Sequence, residues 1–214
     1  MGIEREIKLA LPADQVSSAT QWFVARAGSV GRPIALDNLY FDTPALALAR
    51  SKSALRLRRA PEGWLQTFKT LGTAQSGLHS RHEWEIPVAG PALEIEALLR
   101  ACDDAHAAAA LRDAAPQLVE LFRTHFTRTL WHIGEKSGTD IEAAIDQGEA
   151  VADVNGETRR SPICEIELEL KNGDEAALHA LASELTASVR GLAPDDVSKA
   201  ERGYRLRERG AGPV

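Results

Sequence analysis

The chain has 214 residues and a mass of 23.1 kDa, with 44% hydrophobic and 26% charged residues, which gives one or at most two domains with a proper core and excludes a disordered tail. No apolar stretch approaches the roughly 20 residues that cross a bilayer, and Glu4 and Glu6 stand where a signal peptide carries a basic head, so a cytoplasmic protein is expected. Lys and Arg number 25 against 31 Asp and Glu, a net −6 that argues against nucleic acid or an anionic membrane as main partner, and Cys102 and Cys164 alone support neither a disulfide framework nor a cysteine-rich zinc site.

Ile3 to Leu9 alternates apolar and charged residues and reads as a strand. Pro12 and Asp14 open a helix whose Val16, Ala19, Phe23 and Val24 make an apolar stripe, with Gly28 and Gly31 at its exit. Asn38 to Thr43 reads as a strand ended by Pro44. Ala54 to Ala60, Trp64 to Leu71 and Ser80 to Val88 follow as three more, the first two joined by the turn Pro61-Glu62-Gly63. Leu93 to Ala115, rich in alanine, is predicted to be one helix closed by Pro116. Leu118 to Ile133, Thr139 to Asp153 and Arg159 to Leu170 form a second set of strands, with Gly134, Gly138 and Asn155-Gly156 as turn signals. Asp174 to Val189 reads as a second long helix and Ser198 to Arg209 as a short basic one. No repeat or linker divides the chain, so residues 1–214 are expected to form a single α+β domain, an antiparallel barrel of about eight strands.

Charge is unevenly spread. From Arg50 to Arg81 seven basic residues accompany one acid, Glu62, whereas from Glu135 to Glu175 twelve acids accompany four bases. One stretch suits an anion and the other suits cations. Side chains alternate along a strand, so Glu4, Glu6 and Lys8 share a face opposite Ile3, Ile7 and Leu9. The same separation recurs for Arg56 and Arg58 against Leu55 and Leu57, for Arg81, Glu83 and Glu85 against Trp84 and Ile86, and for Glu165, Glu167 and Glu169 against Ile166, Leu168 and Leu170. It is weaker for Glu142 and Asp146 against Ile141, Ala143 and Ile145.

A barrel ordinarily turns its apolar face inward and leaves its charges in water. Here the amphipathic helices need apolar surface to lie on, and three glutamates in a row repel one another unless a cation sits among them. The expectation is an inside-out barrel, with helices over an oily exterior and a lumen lined by Lys, Arg and Glu. Glu-x-Glu pairs from two strands suit Mg²⁺, which takes oxygen ligands from carboxylates together with substrate phosphates. Arg56, Arg58, Arg81, Lys69 and Lys8 suit a chain of phosphates, because guanidinium forks match phosphate oxygens and lysine acts as a point charge.

Glu4-x-Glu6-x-Lys8 resembles the signature of the CYTH superfamily, the triphosphate tunnel metalloenzymes. It is followed in order by Tyr40-Phe41-Asp42-Thr43, Leu55-Arg56-Leu57-Arg58, Thr67-Phe68-Lys69, Arg81-His82-Glu83-Trp84-Glu85, Arg123 to Arg128, Glu142 to Asp146, Glu165 to Glu169 and Ser198-Lys199. The resemblance implies an eight-stranded antiparallel tunnel that binds a triphosphate with Mg²⁺ or Mn²⁺. By similarity Glu4, Glu6, Glu167 and Glu169 are metal ligands, with Glu165 a further candidate. Lys8, Arg56, Arg58, Lys69, Arg81, Arg128 and Lys199 are phosphate contacts. Arg123 and Arg128 fall on opposite strand faces, and Arg128 is preferred. Tyr40 is expected to orient or activate water beside Lys8, as a Lys–Tyr pair does in some members.

Leu121 to Arg128 and Ile163 to Lys171 look most like bacterial inorganic triphosphatases. The implied reaction is divalent-metal-dependent hydrolysis of inorganic triphosphate to diphosphate and phosphate, with a small-molecule substrate and neither nucleic acid nor membrane as partner. Some such relatives carry a second, histidine-rich helical domain, expected to be absent because this chain ends at Val214. The family also includes class IV adenylate cyclases and thiamine triphosphatases, so those activities, and a non-catalytic polyphosphate-binding module, stay open. Trp22, Trp64, Trp84 and Trp131 are expected to pack under the helices. The six histidines share no metal spacing and read as surface or structural, Cys164 reads as a small buried apolar residue, and Asp195 and Asp196 read as caps of the last helix.

Overall fold

The computed structural model describes residues 2–70, 72–134 and 138–208, with Gly2 and Ile3 described by their backbone alone. Leu71, Glu135 and Arg209, and the side chain of Ile3, which the sequence reading included, lie outside the described residues. The elements in chain order are β1 (Gly2–Ala10), α1 (Val16–Ala27), β2 (Arg32–Asp42), α2 (Ala47–Arg50), β3 (Ser53–Ala60), β4 (Gly63–Thr70), β5 (Thr73–Gln75), β6 (Leu78–Val88), α3 (Ile95–Ala101), α4 (Ala105–Ala114), β7 (Val119–Gly134), β8 (Asp140–Val154), β9 (Glu157–Asn172), α5 (Glu175–Ser188), β10 (Ala193–Pro194) and α6 (Lys199–Glu208). Eight strands run β1-β9-β8-β7-β2-β3-β4-β6 and close through a β6–β1 pairing, every pair antiparallel. Closure leaves no edge in the barrel, and the two short strands β5 and β10 pair with β6 and β1.

Local chemistry sets the turns. The hairpin of β8 and β9 is joined by Asn155 and Gly156, both at positive φ (54° and 81°), the backbone that a two-residue turn matched to strand twist requires. Three expectations are corrected. The helix predicted over Leu93 to Ala115 is two helices, because Asp104 spends its carboxylate on the Ala107 N–H (2.9 Å) and starts a new turn, while Asp103 accepts from Trp84 Nε1 (2.8 Å). Strand β2 begins at Arg32 rather than Asn38, since pairing with β7 carries it further than its own pattern announces. Asp195 and Asp196 do not cap the last helix. Ser198 Oγ accepts the Glu201 N–H (3.1 Å), while Asp195 binds the Val197 N–H and Asp196 the Gly77 N–H.

The apolar faces point outward. Ile7, Leu9, Trp131, Ile133, Ile141, Ile145, Ile166 and Leu168 pack beneath Ala19 and Phe23 of α1 and Leu178, Leu181 and Leu185 of α5. Leu55, Phe68 and Trp84 lie beneath Leu48 of α2, Leu98 of α3 and Leu111 of α4. Trp84 and Trp131 therefore sit under helices as expected, with Trp22 packed against the α1 cluster. A third cluster lies instead on the inward phase of the strands: Leu36, Tyr40, Phe122, Phe126, Ala150 and Ile163 receive Ala200 and Leu206 of α6 inside the barrel. A Cβ on Gly203 would lie 2.0 Å from the Phe122 ring, so only glycine permits α6 to approach that closely.

Phe23 is fully buried and stacks on Trp131 with ring centroids 4.9 Å apart. Phe23→Ala is expected to cost about 3–5 kcal/mol of stability in urea denaturation; a loss below about 1 kcal/mol would show that the outer helix is not seated on an apolar barrel skin.

Candidate active site

Alternation along the eight strands turns the charged faces onto an internal cavity of about 420 Å³. Its lining contains Glu4, Glu6, Lys8, Tyr40, Arg56, Arg58, Lys69, Arg81, Arg128, Glu167, Glu169 and Lys199, every residue predicted for the metal, the phosphates and the water. Glu83, Glu85, Glu142 and Lys171 line it too. The first three share the alternation already read from the sequence, and Lys171 simply continues the inward phase of Glu165 to Glu169. Glu165 shares that inward phase but is fully buried against Lys8 and Lys199 and does not line the cavity, and Arg123 stands at the surface against Glu120.

Register explains the acidic side. Glu6 of β1 is directly opposite Glu169 of β9, which is directly opposite Glu142 of β8. Such a row of like charges is destabilising by itself. Burial pushes the Glu6 carboxyl up to about 7, with Arg81 pulling the other way and Glu167 and Glu4 adding to the rise. Glu169 is raised for the same first reason, Lys171 opposing and Glu4 and Glu142 adding. Burial also works against Glu4, but Lys69 (3.1 Å) and Arg81 (2.6 Å) hold it well below the ordinary carboxylate range. Glu4, Glu6, Glu167 and Glu169 line one cavity, and each already has a basic partner: Lys69 and Arg81 at Glu4, Arg81 at Glu6, Arg128 and Lys199 at Glu167, and Lys171 at Glu169; carboxylate oxygens of this kind are the hard donors that suit a small divalent cation.

Another acidic group is already filled by the protein. Asp146, Glu165 and Glu167 bring carboxylate oxygens within 4.8 Å of one another, and the Lys199 ammonium sits among them at 2.6, 2.6 and 2.7 Å. Burial disfavours that ammonium, yet the three carboxylates hold its pKa well above the ordinary lysine value. Burial likewise works against ionised Glu167, but Lys199, Arg128 and Lys8 drive it well below its ordinary value. Arg128 completes the cluster with two hydrogen bonds to Asp146 (2.9 and 2.7 Å) and one to Glu167. Lys8, nearly inaccessible, binds Glu165 (3.1 Å) and the Val197 carbonyl.

The basic side is less neutralised. Arg56 reaches Thr67 Oγ1 (3.1 Å), with Glu85 and Glu83 at 3.5 and 3.7 Å, and its Nε–H is buried without a partner. Arg58 is lowered to about 10 by burial and then by the positive charges of Arg56 and Arg128. Tyr40 lies opposite Arg56 in the β2–β3 register and stacks on Phe122 with centroids 4.6 Å apart. Arg56 and Arg58 thus face the cavity with their positive charge only loosely opposed, an arrangement suited to an anion, whereas Arg128 is already held by Asp146 and Glu167.

Comparison with known proteins agrees with this architecture. The CYTH domain profile matches residues 2–204, and the chain belongs to that family. The inorganic triphosphatase of Haemophilus influenzae is 34% identical over 203 residues, 95% of this chain and 54% of that protein, so the chain spans about half the length of that curated relative. A Hippeastrum structure described as an adenylyl cyclase with a dominant triphosphatase activity superposes with TM-score 0.66 at 22% identity, covering 95% of this chain and 96% of the other. The Mimivirus capping enzyme triphosphatase superposes with TM-score 0.53 at 10% identity, covering 89% and 90%. These two structural likenesses show the fold.

Lys199→Met leaves two fully buried carboxylates and Glu167 without their shared ammonium. The variant is expected to lose about 3–5 kcal/mol at pH 7. Glu167 ionises below its ordinary value of 4.5 in the folded protein, so its stabilising contribution is present above that pH and lost on acidification. The gap between wild type and variant in urea denaturation therefore narrows as pH falls through that range; a gap that widened would contradict the pairing.

Proposed function

We propose that this chain hydrolyses inorganic triphosphate to diphosphate and phosphate with a divalent metal, Mg²⁺ or Mn²⁺, held by Glu4, Glu6, Glu167 and Glu169. The observation that carries the reading is the facing of two walls across one cavity: an opposed carboxylate row on β1, β9 and β8, and the mutually repelling Arg56 and Arg58. A polyanion bridged to the acids by a cation relieves both repulsions at once. The family membership and the curated relative support it.

When bound, the metal supplies charge neutralisation at phosphate oxygens. The chain's own groups do the positioning. Arg56, Arg58, Arg128, Arg81 and Lys69 clamp a linear chain of phosphates, and Lys8 and Lys199 add positive potential at the wall, so that charge gathering on the phosphoryl oxygens is met by fixed donors. Tyr40, fixed by its stacking on Phe122, orients the attacking water, and Lys8 of the same cavity is the second catalytic group. Among the described residues of the lining Tyr40 is the one aromatic ring, and its face is already taken by Phe122. Such a wall favours bare phosphate chains over a ligand that must lay down a base. Among the described residues no helix is long and apolar enough to cross a membrane; the two free cysteines suit a reducing compartment, and the cytoplasm is the place we assign.

Inorganic triphosphate and ATP, each supplied with Mg²⁺ and with Mn²⁺ and resolved by ion chromatography, test the assignment. Diphosphate and phosphate from triphosphate are expected; cyclic AMP as the dominant product, or tight polyphosphate binding without turnover under any divalent ion, would overturn it. Lys8→Ala and Arg56→Ala are each expected to lower turnover at least about tenfold with circular dichroism intact. Glu167→Gln is expected to raise the metal concentration needed for half-maximal rate, and a flat metal dependence would contradict its place as a ligand.

A further inference from the structure

Every other Lys or Arg of the cavity wall has a carboxylate oxygen within 4 Å: Lys8, Arg56, Lys69, Arg81, Arg128, Lys171 and Lys199. Among the described residues, none places a carboxylate at that distance from Arg58. Its Nε–H is donated instead to Asn38 Oδ1 (2.9 Å), and the Asn38 amide donates to Thr124 Oγ1 (3.0 Å). Asn38 and Thr124 are both fully buried. Register builds the chain of contacts: Arg58 of β3 lies opposite Asn38 of β2, which lies opposite Thr124 of β7.

The choice of a neutral amide has a chemical consequence. A carboxylate at position 38 would hold Arg58 as firmly and cancel its charge. An amide oxygen takes Nε alone, fixes the plane of the guanidinium, and leaves both Nη groups and the full positive charge to the cavity. The amide has its own rotation fixed by Thr124, so a buried polar pair that costs desolvation is used to aim a cation.

We propose that Asn38, braced by Thr124, is a positioning residue that fixes the Arg58 guanidinium against a phosphate of the substrate. The assignment rests on the triphosphatase reading and deepens it, since it makes the Arg58 end of the cavity the place where phosphate is bound by the protein's own unpaired charge.

Asn38→Ala, Thr124→Val, Thr124→Ser, Arg58→Ala and the double variant Asn38→Ala/Arg58→Ala test this by steady-state kinetics with inorganic triphosphate and by calorimetric binding of the same anion. Asn38→Ala and Thr124→Val are expected to raise KM and Kd about tenfold while kcat changes less than about threefold. Thr124→Ser, which keeps the acceptor, is expected to restore tight binding. Adding Asn38→Ala to Arg58→Ala is expected to weaken binding no further, because Asn38 acts only through that guanidinium. A wild type that hydrolyses triphosphate, with Thr124→Val binding as tightly as wild type or with additive losses in the double variant, overturns the positioning role and leaves the triphosphatase reading standing. A wild type that neither binds nor hydrolyses triphosphate removes both.

Discussion

Closing eight strands with their oily faces outward brings every inward side chain into one small volume, where charges that would be dispersed in water must be settled against each other. The cross-strand row Glu6, Glu169 and Glu142 cannot be left alone, and neither can the neighbouring Arg56 and Arg58. Most of the architecture of the cavity answers this constraint. Arg81 spans Glu4 and Glu6, Lys69 links Glu4 with Glu83, and Lys199 fills the hollow between Asp146, Glu165 and Glu167. Lys171 lies between Glu169 and Glu142, and among the described basic groups of the cavity wall Arg58 alone is left without a carboxylate within 4 Å.

The last helix belongs to this arrangement. It brings Lys199 into the carboxylate cluster from outside the sheet, and its seat is specific: Gly203 lets it close on Phe122, Tyr204 donates to Asp42 (3.1 Å), and Arg207 donates to the Leu121 carbonyl (3.1 Å). Asp42 is fully buried and also accepts the N–H groups of Thr43, Leu48 and Ala49, so one carboxylate ties α6 to the loop that starts α2. Burial, reinforced by Asp42, raises the Tyr204 pKa and keeps its hydroxyl a donor. Packing at this end is apolar, so the tunnel interior is ionic along the cavity and greasy where the helix enters.

Period-two alternation made the inside-out barrel legible, because Leu55-Arg56-Leu57-Arg58 and Glu165-Ile166-Glu167-Leu168-Glu169 each put one chemistry on one face. Alternation put Arg123 and Arg128 on opposite faces but left open which phase faced inward. Lys199 lies on a helix and carries no periodic signal; it was named by resemblance alone. Contacts that depend on strand order were hidden. The opposition of Glu6, Glu169 and Glu142 needs the order β1-β9-β8, and the Thr124–Asn38–Arg58 chain needs β7-β2-β3. The break at Cys102 to Asp104 was missed because alanine-rich flanks suggested one helix, whereas two short acids found better partners in a backbone N–H and an indole. Segment α2 was missed because its cause, the Asp42 carboxylate, lies outside it in sequence.

The most direct test of a charged lumen that holds a metal and a phosphate chain together is a crystal structure of this protein grown with Mn²⁺ and inorganic triphosphate, with the metal located by its anomalous signal. Manganese density is expected among Glu4, Glu6, Glu167 and Glu169, with phosphates reaching Arg56 and Arg58 inside the barrel. Metal and triphosphate bound only on the outer surface, with the cavity unchanged, would contradict it.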